Sequence, residues 1–247
     1  MAGSEAVIEI RPLLALSEFA EAVELQRCVW GFADIDVVPL PLFVVAAKTG
    51  GHAFGAYSGG RMVGFCLAFA GVKPGGRSFL HSHMLAVLPV FRDAGLGRRL
   101  KLCQRDDALA RGIELVEWTF DPLEIKNAFF NIERLGVIVR QYDENEYGAT
   151  SSPLHSELPT DRCVAEWWVA SPRVDAVLAG RQLDCGIEDR ISVPAEIDQL
   201  RRSDPGRARE IQRANAEHFR DCFRRGLAVT GFERSPSGGT YLLGPCP

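Results

Sequence analysis

The plainest chemistry in this chain lies in the stretch Arg92-Asp93-Ala94-Gly95-Leu96-Gly97. An apolar run ending at Val87 leads into it, Pro89 breaks that run, and a helical pattern begins at Gly95. Gly95 and Gly97 let the backbone bend sharply and approach a ligand with no Cβ in the way. The first N–H groups of a helix lack intrahelical acceptors and sit at the positive end of its dipole, so a pyrophosphate is the natural guest. Arg92, Arg98 and Arg99 add positive charge. A dinucleotide fingerprint needs a third glycine three residues after Gly97, where Leu100 stands, and no Walker pattern occurs. The plainer alternative is a helix that merely starts with glycines.

His81 and His83 lie two apart on the strand leading into this turn, so their side chains share a face. Imidazole titrates where a general base for neutral chemistry must work. The competing role for either is a hydrogen-bonded core histidine. Glu117 and Asp121 alternate along the next strand as further candidate bases. Asp121-Pro122 is equally well read as a strand-ending turn. Arg140 and Arg162 suit a carboxylate ligand, or simply the surface.

The elements that position these groups follow from periodicity. Strands are expected at residues 7–11, 52–57, 62–70, 79–87, 115–120, 137–142, 163–169, 190–193, 227–232 and 240–243. Helices are expected at 16–30, 39–48, 95–111, 125–135 and 206–225. Ser17 is the expected cap of the first helix and Gly31 its stop. In the helix after Gly95, Leu96, Leu100, Cys103 and Ala110 share a face, while Arg98, Arg99, Gln104 and Arg105 are expected to point outward. A polar loop spans 147–160.

The 247 residues, 47% hydrophobic and 24% charged, suffice for a packed core without staples. A net charge of −4 argues against a nucleic-acid partner. The seven cysteines form no CxxC pair and no histidine falls at zinc-finger spacing, so no metal is expected. No leader peptide or apolar span is seen, so neither a membrane partner nor any location but the cytoplasm is expected.

From His81 to Gly97 the sequence resembles the fourth strand and pyrophosphate loop of the GNAT acetyltransferase superfamily, and the order of elements fits from Ile8 to about Val169. The segment Trp118-Thr119-Phe120-Asp121-Pro122-Leu123 further resembles a poorly characterised bacterial branch of that superfamily. The resemblance implies an α/β (α+β) fold with a mixed, splayed central sheet flanked by helices. Residues 1–170 would form the acyl-CoA-binding core, and 171–247 an α/β extension packed on it. It implies that backbone groups of Leu85, Ala86 and Val87 pair with the pantetheine arm and acyl carbonyl. Arg92, Asp93, Ala94, Gly95, Leu96, Gly97 and Arg98 would hold the pyrophosphate. Asn127 or Asn131 can contact the coenzyme, though capping and solvent exposure explain them equally well.

The cosubstrate implied is acetyl-CoA or another acyl-CoA, and the acceptor a small-molecule amine, in a monomer or homodimer. A similar His-x-His precedes Leu-Ala-Val in arylalkylamine N-acetyltransferases, where the pair carries protons from the amine. By that likeness His81 and His83 are the catalytic candidates, with Glu117 and Asp121 as base or amine-orienting carboxylates. One departure stands out. Where many GNAT enzymes place an acid tyrosine, Ile132 stands, and Tyr142 and Tyr147 are the nearest tyrosines downstream. The competing functions are a non-catalytic acyl-CoA sensor or regulatory module, and a structural protein whose glycines merely start a helix.

Overall fold

The computed structural model describes residues 7–31, 33–148, 158–181 and 185–245. Much of the expected loop 147–160, and Cys246, lie outside them. The chain divides into two compact units, the boundary falling after Val116.

In the first unit, β1 (Ile8–Pro12), β2 (His52–Ser58), β3 (Arg61–Val72) and β4 (Ser78–Val87) form an antiparallel sheet in that order. Alternation along β3 sends Phe65 and Leu67 to one face and Cys66 to the other, and a bulge at Val63 turns that residue to the Cys66 side. Phe65 and Leu67 pack with Phe19 and Leu25 of α1 (Leu16–Trp30) and Phe43 of α2 (Leu40–Lys48). Val63 and Cys66 pack on the other side with Leu96 and Leu100 of α3 (Leu96–Ala110). Ser17 does not cap α1. Ala15 takes that position, and Glu18 accepts the N–H groups of Leu14 (2.8 Å) and Ala15 (2.9 Å). The Ala15 bond is the largest of the causes that hold the Glu18 carboxyl down to about 2. Gly31, at φ 62°, closes the helix as expected.

The second unit contains the end of β5 (Leu115–Phe120), followed in sheet order by β7 (Arg162–Trp168), β6 (Ile138–Asp143), β9 (Leu227–Ser235), β10 (Gly238–Pro245) and β8 (Asp189–Pro194). The pairs β6–β7, β6–β9, β9–β10 and β10–β8 are antiparallel. α4 (Ile125–Phe129) runs on as a π turn, Phe130–Arg134. Phe219 of α7 (Pro205–Arg224) stacks on Tyr142 (5.4 Å) and meets Tyr241 edge-on (5.0 Å). Arg173 donates to the carbonyls of Gly136 (3.1 Å) and Thr230 (2.6 Å), and Tyr241 donates to Pro122 O (2.6 Å). Residues after 171 thus share a core with residues 117–148. Two short helices escaped the sequence reading, α5 (Pro172–Leu178) and α6 (Ile197–Ser203).

Both units are open, mostly antiparallel sheets flanked by helices, a mixed α/β architecture. Among the described residues no helix is long and apolar enough to cross a membrane.

Candidate active site

β4 carries the histidines, and its register explains how. Met84 pairs with Leu67 while Ser82 pairs with Ala68, so His83 is an extra residue in β4, a bulge. In a regular strand Ser82 and Met84 would share a face. Here Met84 joins the core under α1 and α2, while Ser82 bonds to Gln104 of α3. The His81 and His83 rings lie 5.8 Å apart, and Phe69 meets His83 edge-on at 5.5 Å. Burial is the main force lowering both imidazoles. His81 is brought to about 4, with His83, Lys101 and Lys73 adding like-charge pressure. The His81 ring is therefore neutral at neutral pH, the state in which an imidazole can accept a proton.

The turn after β4 is held by its own residues. Leu88 N donates to Val63 O (2.9 Å), and Arg92 Nε donates to Val87 O (3.0 Å). Arg92 is thus partly committed to shaping the turn. Asp93 takes φ 60°, rare outside glycine, and Gly95 takes φ 75° at the cap of α3. Gly97 is different. A Cβ there would meet only Leu85 Cδ2, at 3.7 Å, an ordinary contact, and its φ is not positive. Neither strain nor crowding within the chain requires glycine at 97. Asp93, Ala94 and Gly95 are exposed, Gly97 and Arg98 half-buried, and Leu96 is in the core. In β4, Leu85 and Val87 are half-buried and Ala86 is buried. Arg99 reaches back to Ile8 O (2.7 Å).

In the second unit the candidate charges are mostly engaged. Asp121 accepts Leu123 N–H (2.8 Å) and pairs with Arg201 of α6 (2.6 Å), which also reaches Glu124 (2.9 Å). Glu117 is buried on β5. Arg140 grips Glu166 with two bonds (3.1 and 2.5 Å), and buried Arg162 donates to Asp161 O. Asn127 is exposed and Asn131 buried. Ile132, in the acid's expected place, is wholly buried.

The two tyrosines separate cleanly. Tyr142 is buried and donates to Asp161 (2.7 Å); burial first, and Asp161 next, push its phenol far above the ordinary value. Tyr147 is 46% exposed, its hydroxyl 2.7 Å from Thr119 Oγ1 on β5. Nothing in the sequence spacing signalled that pairing, since 28 residues separate the two. Among the described residues one group of three potential metal ligands lies together, Asp189, His218 and Cys222. Its carboxylate is already bonded to Arg225 (2.8 Å), Arg190 N (2.9 Å) and His218 (2.9 Å).

The acetyltransferase (GNAT) family matches residues 18–136. Among curated proteins, none matches the sequence significantly. Similar solved structures include a GNAT-family acetyltransferase from Desulfovibrio desulfuricans, 16% identical with TM-score 0.53, covering 66% of this chain and 100% of that one. The ribosomal-protein-S18-alanine N-acetyltransferase from Escherichia coli is 16% identical with TM-score 0.53, covering 67% and 96%. The acetyltransferase yncA from Salmonella typhimurium, solved with its cofactor acetyl-CoA, is 16% identical with TM-score 0.52, covering 67% and 97%. At this identity the likeness speaks for the fold. The family match runs through the bulged strand, the glycine turn and the helix behind it.

Proposed function

We propose that this protein transfers an acyl group, in the first place acetyl, from coenzyme A to a small-molecule amine by direct attack with general-base assistance. The observation that supports it most is Gly97, a glycine the fold does not need, in the first turn of a helix directly after the histidine strand. N–H groups there suit the pyrophosphate. Leu85, Ala86 and Val87 offer backbone groups to the pantetheine arm.

The amine nitrogen bonds to the thioester carbon as the carbon–sulfur bond breaks. The ammonium proton goes to His83, with His81 behind it, and the departing thiolate takes a proton from an acid. Of the two tyrosines left open by the sequence, Tyr147 is the better acid, because Tyr142 is buried and committed to Asp161. Asp121, tied to Arg201, is better suited to structure than to catalysis.

Burial of Ile132 where an acid tyrosine is expected favours a second reading, a non-catalytic acyl-CoA sensor. A panel of acyl-CoAs crossed with amines, reading thiol release, separates the two. In an active enzyme, the double change His81→Gln with His83→Gln should slow the chemical step about 10²-fold or more and leave coenzyme affinity nearly intact. It should cost less than the product of the single effects, because the two act as one relay. Wild-type rates in the double variant, with chemistry limiting, would refute the relay. The imidazole bend in log(kcat/KM) should fall on the acid side of 6.5, because burial depresses both rings.

A further inference from the structure

In the second unit, Asp189 of β8 and His218 and Cys222 of α7 bring three different ligand atoms together. His218 and Cys222 stand four apart on one helix, so their side chains leave the same face one turn apart. Asp189 opens β8, the last strand in the sheet order, and its Oδ1 lies 2.9 Å from His218 Nε2. The imidazole nitrogen, the thiol sulfur and the carboxylate oxygen all lie within 4.8 Å of one another. A tetrahedral zinc ion with bonds of ~2.0–2.3 Å holds its ligands about 3.3–3.8 Å apart, so shifts of about an ångström close the set. No spacing in the sequence marks this group, because Asp189 and His218 stand 29 residues apart.

Packing alone does not call for these three side chains. Cys222 ends the buried stripe of α7, after Ala208, Gln212, Ala216 and Phe219, where a small apolar residue would serve as well. Its thiol instead lies against the Asp189 carboxylate. Burial first, and Asp189 next, raise that thiol to about 11, and Arg225 and Asp221 are the other charges acting on it. The carboxylate is already aimed. Its Oδ2 accepts from Arg225 Nη1 (2.8 Å), while Oδ1 accepts from Arg190 N–H (2.9 Å) and faces His218. An ion held through Oδ1 leaves the Arg225 contact in place, and outer partners of this kind orient metal ligands. Asp221 lies 3.6 Å from Arg225 and offsets part of its charge. The His218 side chain is 41% exposed, which gives an ion a way in and leaves a fourth position to water.

We propose that Asp189, His218 and Cys222 form a binding site for a divalent transition ion, zinc in the first place, which ties β8 to α7. Sulfur, imidazole and carboxylate donors together favour zinc over magnesium or calcium, which prefer oxygen alone. On binding, the Cys222 thiol becomes a thiolate and its proton leaves to the buffer. Neutral His218 offers the Nε2 lone pair with its proton on Nδ1, and Asp189 enters ionised. The site is independent of the acyl-transfer reading.

The test uses the full-length protein, reduced and stripped with a chelator, then titrated with cobalt(II) or zinc(II). Cobalt should bind one per chain and give the thiolate charge-transfer absorption in the near ultraviolet. Zinc should displace it and raise the thermal unfolding midpoint. Calorimetry in buffers of different ionisation enthalpy should show about one proton released per zinc at about pH 8, where imidazole is already neutral. The chain has seven cysteines, so the assignment to one of them needs a variant. Cys222→Ala should abolish the charge-transfer band. His218→Ala changes a partly exposed residue, so it should fold as the parent does even where Cys222→Ala does not. It should weaken zinc binding by more than ~10²-fold, above the ~10–100-fold range for loss of an outer partner. No one-to-one zinc binding by the parent protein, an undiminished cobalt band in Cys222→Ala, or unchanged zinc affinity in His218→Ala would each overturn the proposal.

Discussion

Lys101 and Arg201 are both cations drawn into an interior, one in each unit, and their surroundings treat them in opposite ways. Arg201, 5% exposed, meets two carboxylates, Asp121 and Glu124. Lys101, 2% exposed, donates to the Ser82 hydroxyl. A buried charge with opposite charges around it stays charged and holds structure together. Burial of the Lys101 amine favours its neutral form instead. The second unit binds most of its candidate charges into ion pairs, while the first keeps groups able to titrate near the strand and turn that the proposed chemistry uses.

The largest effect expected from breaking this contrast is on stability. Arg201→Ala leaves two carboxylates, one of them only 12% exposed, facing an empty cation site. It should destabilise the protein by roughly 3–5 kcal/mol, the scale for removing one member of a buried pair. Arg140→Ala, whose arginine is 46% exposed, should cost less than about 1 kcal/mol. Denaturant unfolding of both variants measures the difference. Equal losses would mean that burial does not distinguish these pairs.

Removing Lys101 should have the opposite sign. Its folded pKa, about 7, lies below the unfolded value, so the penalty is fully present below pH 7. Between pH 7 and ~10.4 the unfolded chain binds the extra proton, so stability rises with pH across that window. Lys101→Met should therefore stabilise, and its advantage over wild type should be about 3 kcal/mol larger at pH 6 than at pH 9, on the order of two pKa units. Thermal or denaturant unfolding at the two pH values checks this. A constant difference would show that Lys101 remains charged throughout.

What the sequence could and could not reveal follows the same division. The glycine turn, the histidine strand and most strands and helices were legible because spacing and periodicity encode them locally. Gln104 was expected to face solvent, yet it is fully buried and bridges Ser82 and His52. A polar residue on a helix reads as outward unless its buried partners are known, and those partners stand 22 and 52 residues away. The bulge at His83 leaves no mark in residue types. Asp121 stayed open between a base and a strand-ending turn because its partner, Arg201, is 80 residues distant on a seven-residue helix too short to show periodicity.

The turn itself offers a cleaner comparison, because its two glycines serve different purposes. Gly95 is needed by the backbone, at φ 75°, and replacing it should strain the fold. Gly97→Asp should fold normally but place a carboxylate where the pyrophosphate is proposed to sit. Coenzyme A affinity should fall by on the order of 10²-fold at most, with the unfolding midpoint nearly unchanged. Calorimetry with coenzyme A reads the first and thermal unfolding the second. Unchanged affinity in a folded Gly97→Asp protein would remove the turn from the binding site.

The two tyrosines differ in the same way, since one hydroxyl belongs to the fold and the other is proposed for chemistry. Tyr142 donates to Asp161, which also accepts Asn145 N–H at 3.0 Å. Burial, the largest influence on Asp161, raises its pKa, and the bonds from Asn145 and Tyr142 work against that rise. Tyr142→Phe removes one of them, so the folded carboxyl should be still harder to ionise. The loss should be about 1–2 kcal/mol at neutral pH, the scale of a hydrogen bond to a charged group. It should shrink as acid protonates the folded carboxyl, which burial holds above the ordinary aspartate value. Tyr147→Phe breaks a bond to Thr119 at a residue nearly half exposed, so its stability change should stay within about 0.5 kcal/mol. If Tyr147 protonates the thiolate, turnover in Tyr147→Phe should nevertheless fall, towards the ~10²-fold end for a positioned acid, with the Michaelis constant for acyl-CoA little changed. Single-turnover rates separate that loss from slow product release. A Tyr147→Phe protein with full turnover, beside a Tyr142→Phe protein that is merely less stable, would leave bulk water as the proton source for the thiolate.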